Sequence, residues 1–135
     1  MRKTLISSGM ILLLAASPAS AGDPGPDVGG SFQAFCSSWM AKLDQRRQDN
    51  ARKAEAVRDG DSVAIEYTAY SRKPLACDAR RREGASSTIG QLVYQELRVR
   101  ATGTTVAQAR TAVPNVLSKT DIVEIFRFDG SRWRY

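Results

Sequence analysis

The apolar residues of this chain change their spacing once, and that change restricts the fold more than any other feature. Phe32, Phe35, Cys36, Trp39 and Leu43 recur at i, i+3, i+4, i+7 and i+11, which is one face of a 3.6-residue helix. From Ser62 onward the spacing becomes two: Val63, Ile65, Tyr67 and Ala69 fall on one face and Ala64, Glu66, Thr68 and Tyr70 on the other. A lone amphipathic helix has nothing against which to bury its stripe, and neither has a half-buried sheet, so each becomes the other's cover. The expected fold class is α+β, with one long N-terminal helix packed on a curved antiparallel sheet of about four to five strands. Ser31 is the expected N-cap and Gly60 the expected left-handed stop, which places the helix at about residues 31–58.

The later segments continue the alternation. Leu75, Cys77 and Ala79 alternate with Ala76, Asp78 and Arg80, and "IGQLVYQELRVRAT", residues 89–102, is the longest strand candidate. In it Val93, Leu97 and Val99 share a face while Leu92 and Tyr94 lie opposite, a pattern that needs a bulge or burial on both sides. Thr105 with Gln108 reads as a capping box for a short helix that Pro114 ends. "TDIVEIFRFDGSRWRY" reads as two strands about Asp129-Gly130. A two-residue turn there sets Phe126 opposite Trp133 on the core face.

The first 21 residues stand apart from this pattern. Arg2-Lys3, an apolar run through "MILLLAA" and an Ala19-Ser20-Ala21 exit make a secretory signal peptide. The apolar run is shorter than the roughly 20 residues that span a bilayer. No cysteine follows the exit, so the signal is not of the lipoprotein kind. The expected location is periplasmic or secreted, after cleavage by a bacterial export route. Residues 22–30, with two prolines and four glycines, read as a flexible leader. A single domain is then expected over 31–135. No later segment is apolar enough to cross a membrane.

The signal holds Arg2 and Lys3 and no acidic residue, so the full chain's net charge of +6 becomes +4 after cleavage. That is mildly basic and short of a dedicated nucleic-acid binder. The chain has no histidine, which removes serine–histidine and cysteine–histidine catalysis and every histidine-ligated zinc site. Dinucleotide-binding, Walker, GxSxG, EF-hand and HExxH motifs are all absent. No metal, no cofactor and no catalytic residue is expected, and an enzyme is the least favoured class.

The two cysteines, Cys36 on the helical stripe and Cys77 in phase with Leu75, both point to the core. An even count in an exported domain reads as a disulfide. Bridging them closes a loop of some forty residues, worth roughly 4 kcal/mol by loop entropy. The alternative, a thiolate activated by Arg80, Arg81 and Arg82, has no second cysteine nearby and no CxxC to support it.

The closing "EIFRFDGSRWRY" resembles the terminal hairpin of cystatin-like and NTF2-like α+β rolls, in which a helix lies in the concavity of a bent sheet. The resemblance covers about a dozen residues. It implies an architecture only, because the pocket histidine and aspartate of the enzymatic NTF2-like members have no counterpart here.

Two kinds of site remain. One is a surface: Arg80, Arg81 and Arg82 at a strand end, with Arg98, Arg100, Arg127, Arg132 and Arg134 on an outer sheet face. Solvated edge charge is the simpler reading of these arginines, and contact with an acidic or polyanionic surface the sharper one. The other is a pocket between helix and sheet lined by Trp39, Tyr67, Tyr94, Phe126 and Trp133, for which core packing is the simpler reading. The expected function is a non-catalytic binding or accessory module engaging another protein: an inhibitor, an immunity protein or a small subunit of an envelope complex. A small-ligand carrier is the alternative.

Overall fold

A computed structural model describes residues 26–81 and 83–135. Residues 1–25, which include the expected signal peptide and the start of the expected leader, and Arg82 lie outside the described residues. The chain folds as one long helix, α1 (Pro26–Lys53), followed by β1 (Ala56–Asp59), β2 (Ser62–Tyr70), β3 (Ala76–Arg81), β4 (Thr88–Gly103), a short helix α2 (Val106–Thr111), β5 (Asn115–Phe128) and β6 (Trp133–Arg134). It is an α+β fold, with α1 packed on a curled, six-stranded antiparallel sheet.

The helix is displaced from its expected limits at both ends. It begins at Pro26, where a proline in the first turn loses no hydrogen bond and Asp27 suits the positive helix end. Ser31 is therefore inside the helix, not its cap. Its hydroxyl donates to the Val28 carbonyl at 2.9 Å and accepts the Trp133 indole N–H at 3.1 Å. At the other end the helix stops at Lys53, and Arg110 of α2 donates to the carbonyls of Ala51, Arg52 and Ala54. Those carbonyls have no partner of their own in a helix end. Gly60, expected as the helix stop, instead forms a hairpin. With Asp59 facing Ser62, Gly60 and Asp61 make a two-residue loop in which Gly60 has φ +62°. The segment expected as the helix's polar end is thus strand β1, and Val57 is exposed.

Strand β4 is the spine of the sheet. One edge is shared end to end by β3, paired over Thr88–Val93, and by β2, paired over Glu96–Gly103. The other edge pairs with β5 from Ile89 to Arg100. Buried positions on β4 are Thr88, Gly90, Leu92 and Tyr94, then Val99 and Ala101. Since neighbours alternate faces, the buried side switches along the strand. Two glycines show what covers each side. A Cβ on Gly90 would lie 2.2 Å from the Phe32 ring of α1, and one on Gly103 would lie 2.5 Å from the Ala109 backbone of α2. The two helices therefore cover opposite faces at opposite ends of β4. The register of β5 against β4 slips by one residue at Arg98/Val99, with Leu117 as the extra residue.

Each covered face has its own core. Under α1, Phe32, Cys36, Met40 and Leu43 meet Leu92, Tyr94, Phe126 and Trp133. Under α2, Ala109 meets Val63 and Ile65, with Ala54 and Tyr67 at the margin. Burying a side chain the size of Phe32 or Leu92 stabilises the fold by roughly 1.5–3 kcal/mol. Cys36 and Cys77 are joined, with Cα atoms 6.4 Å apart and a sequence separation of 41. The bond ties the buried stripe of α1 to β3.

The terminal hairpin keeps its expected core face but not its expected turn. Phe128 faces Trp133 and Arg127 faces Arg134, so the loop is Asp129–Arg132, four residues instead of two. The cause is Asp129. Its Oδ1 accepts the Ser131 and Arg132 amides, each at 2.9 Å, and the Ser131 hydroxyl at 2.9 Å. Side-chain capping of this kind favours an Asx-type turn over the tighter alternative. A shift of two residues leaves every side chain on its own face, so Phe126 and Trp133 remain buried.

Candidate interaction surface

With the helices on diagonal quadrants of the sheet, two quadrants have no helix over them among the described residues. The first is the side of β3–β4–β5 turned away from α1. Cross-strand rows define it. Ala76, Val93 and Val123 form one row; Asp78, Gln91 and Ile125 the next; Arg80, Ile89, Arg127 and Arg134 the last. Ile89, Val123 and Ile125 are 40%, 53% and 51% exposed, which is unusual for β-branched residues clustered on one face. Val93 lies half-buried among them and Leu75 is exposed at the border. Among the described residues Arg80 and Arg127 have no ion-pair partner, whereas Arg134 and Arg132 both pair with Asp129. A concavity of about 400 Å³ opens here between Ile89, Ile125, Arg127 and Arg134. An apolar centre with an arginine rim is the composition of protein-binding patches.

The second open quadrant is the α1 side of the far end of β4. It holds Arg98 and Arg100, which the sequence groups with the hairpin arginines. The structure separates them: Arg98 and Arg100 project to the face opposite Arg127 and Arg134. They are also neutralised. Glu66 accepts from Arg98 at 2.9 Å and from Arg100 at 3.1 Å, and Asp59 pairs with Arg100 as well. The Arg98 guanidinium holds the Glu66 carboxyl below its usual range. This face has the chemistry of a solvated, self-paired surface.

The remaining residues fall as follows. Arg81 pairs with Thr88, so it lies on the α1 side of the sheet edge, apart from Arg80. Four of the five expected pocket residues, Trp39, Tyr94, Phe126 and Trp133, come together beneath α1. Tyr67 does not join them and packs beside the α2 core. The four are in contact with one another or with Phe32. Trp39 and Phe126 centroids are 5.0 Å apart and Phe32 and Trp133 centroids 4.4 Å apart. At the margin of this cluster Glu124 accepts the Tyr94 hydroxyl at 3.0 Å and also pairs with the Tyr135 hydroxyl. Burial, then the Glu124 carboxylate, pushes the Tyr94 phenol up to about 12. The same carboxylate raises Tyr135. The Trp39 indole N–H is buried without an acceptor among the described residues.

The apolar members of the first quadrant were absent from the sequence expectation, although a signal existed. "DIVEIF" has apolar residues in both phases, so Val123 and Ile125 cannot share the inward face with Ile122 and Phe126. Among the described residues no helix is long and apolar enough to cross a membrane, and no group of three or more His, Cys, Asp or Glu side chains is placed to hold a metal ion. The chain matches no protein-family model, no curated protein and no solved structure.

Proposed function

We propose that the protein is a non-catalytic binding or accessory module, exported to the periplasm or beyond, that engages another protein through the sheet face opposite α1. Inhibitor, immunity protein and small subunit of an envelope complex are the roles this suits. The supporting observation is the single patch of Ile89, Val93, Val123 and Ile125, with Arg80 and Arg127 unpaired beside it. A partner covering it gains the burial of four β-branched side chains. Acidic groups on that partner gain two arginines that hold no counter-ion among the described residues. Export is supported by the disulfide between Cys36 and Cys77, which persists in oxidising compartments. The absence of histidine supports a non-catalytic role. The roll architecture that the terminal segment resembles is consistent with the helix-on-sheet fold and contributes nothing to this assignment.

The small-ligand carrier is the weaker reading, because the aromatic side chains that were to line its pocket pack against one another beneath α1. The test is affinity capture from periplasmic extract with three forms of the disulfide-bonded domain: wild type, Ile125→Glu, and Arg98→Glu on the neutralised face. The expected result is a co-purifying protein retained by wild type and Arg98→Glu and lost by Ile125→Glu. Loss through Arg98→Glu alone would move the site to the other quadrant.

A further inference from the structure

Strand β5 pairs with β4 along one edge, but along its other edge only Arg127 and Phe128 are paired, by β6. Among the described residues, Asn115–Phe126 thus presents an unpartnered edge of backbone donors and acceptors. Edges of this length are normally blunted by lysines, proline, bulges or cover, since they are templates for another strand, and here the guards are the single Lys119 and the bulge at Leu117. This one carries Ser118-Lys119-Thr120-Asp121, all exposed, with a single cation and a single anion flanking Thr120.

We propose that this edge pairs with the same edge of a second copy, antiparallel, about a two-fold axis at Thr120. The proposal uses the edge of β5, not its face, and goes beyond the partner surface described above. A two-fold normal to a continuous sheet requires a residue to face its own copy. Charge then selects among the registers. Centring on Lys119 sets two cations face to face, and centring on Asp121 sets two anions face to face. Centring on Thr120 sets Lys119 opposite the second copy's Asp121, twice. It also brings Ser118 opposite Ile122, and Leu117 opposite Val123, which are 50% and 53% exposed in the single chain. The regular ladder about this axis runs from Leu117 to Val123, because the bulge at Leu117 reverses the face phase beyond it. The edge is therefore self-complementary in charge and in apolar content over Leu117–Val123. The bulge at Leu117 lies toward the end of this ladder, outside the central five pairs.

Two measurements on the disulfide-bonded domain test this. In sedimentation analysis over rising concentration, wild type should form dimers. Lys119→Asp and Asp121→Lys should each weaken dimerisation by about tenfold, as two attractive pairs become repulsive. The double charge exchange should restore it, with circular dichroism confirming that all forms are folded. In oxidative cross-linking, Thr120→Cys should give a covalent dimer and Ser118→Cys should not, because the two 118 positions lie about 13 Å apart in this register. A wild-type protein that stays monomeric at its highest soluble concentration overturns the proposal. So does a dimer indifferent to the charge reversals, or one that cross-links equally through position 118. Loss of partner capture by Ile125→Glu leaves these outcomes unchanged, so the two readings fail separately.

Discussion

Replacing Gly90 by alanine tests how α1 is seated. The added methyl carbon would lie 2.2, 2.4 and 2.6 Å from three carbons of the Phe32 ring. Carbon atoms at rest sit roughly 3.5–4.0 Å apart, so the ring must retreat by more than an ångström. It has nowhere to go: Phe32 is fully buried, with Trp133 at 4.4 Å, Phe35 at 5.8 Å and Phe126 at 6.2 Å between centroids. Overpacking of a closed core costs about 1–3 kcal/mol. The strand's gain on losing a glycine, about 0.5–1 kcal/mol, offsets part of this. Gly90→Ala should therefore lower stability by about 1–2 kcal/mol in urea unfolding. Combining it with Phe32→Leu removes the clash, so the double variant should be more stable than the sum of the singles predicts, by about 1 kcal/mol. Additive effects, or a Gly90→Ala protein within about 0.5 kcal/mol of the parent, would refute this seating of the helix.

Other perturbations follow from the same contacts. Replacing both Cys36 and Cys77 with alanine opens a loop of 41 residues and should cost about 4 kcal/mol in the chain-entropy model, read as a fall in urea midpoint. The carboxyl of Asp129 is held far below 3.8, first by Arg134 and then by the Arg132 and Ser131 amides. Its folded state thus favours the ionised form, and the stability it contributes is present above about pH 4 and drains as pH falls further. Asp129→Asn should flatten that acid limb. Tyr94 has the opposite sign: with its phenol raised from 10.0 to about 12, the stability tied to its proton is intact below pH 10 and lost as pH climbs through 12. Tyrosinate absorbance should show Tyr94 titrating late, and Glu124→Gln should bring it earlier.

The parts of the fold that depend on long periodic stretches were legible in the sequence. The stripe from Phe32 to Leu43 and the inward Phe126 and Trp133 required only a count of spacing, and two inward cysteines required only pairing. Most of what escaped was decided between distant residues, and the rest by one side chain in a turn. The polar segment after Lys53 has ordinary helix formers, but Arg110 from α2 caps the helix there and β2 recruits Ala56–Asp59 as a strand. At the Asp129 turn a carboxylate accepting two downstream amides outweighs the Asp-Gly preference for a two-residue loop. Arg98 and Arg100 part from the hairpin arginines because the buried side of β4 switches between Tyr94 and Val99, a change that alternation along one strand does not reveal. Of the site itself, the arginines were visible one by one. The apolar centre was visible only in part: "DIVEIF" turns Val123 and Ile125 outward, but strand register alone brings Ile89 into the neighbouring row.

The most direct test of the account places a photo-cross-linking residue at Ile89, in the middle of the last cross-strand row of the open apolar face, and in parallel at Thr102, on the far half of β4. Cells exporting each form are irradiated and the adducts resolved by mass. A discrete heterologous adduct from Ile89 and none from Thr102 is the predicted result. An adduct from Thr102 alone, or no heterologous adduct from Ile89, would contradict the assignment of that face as the binding surface.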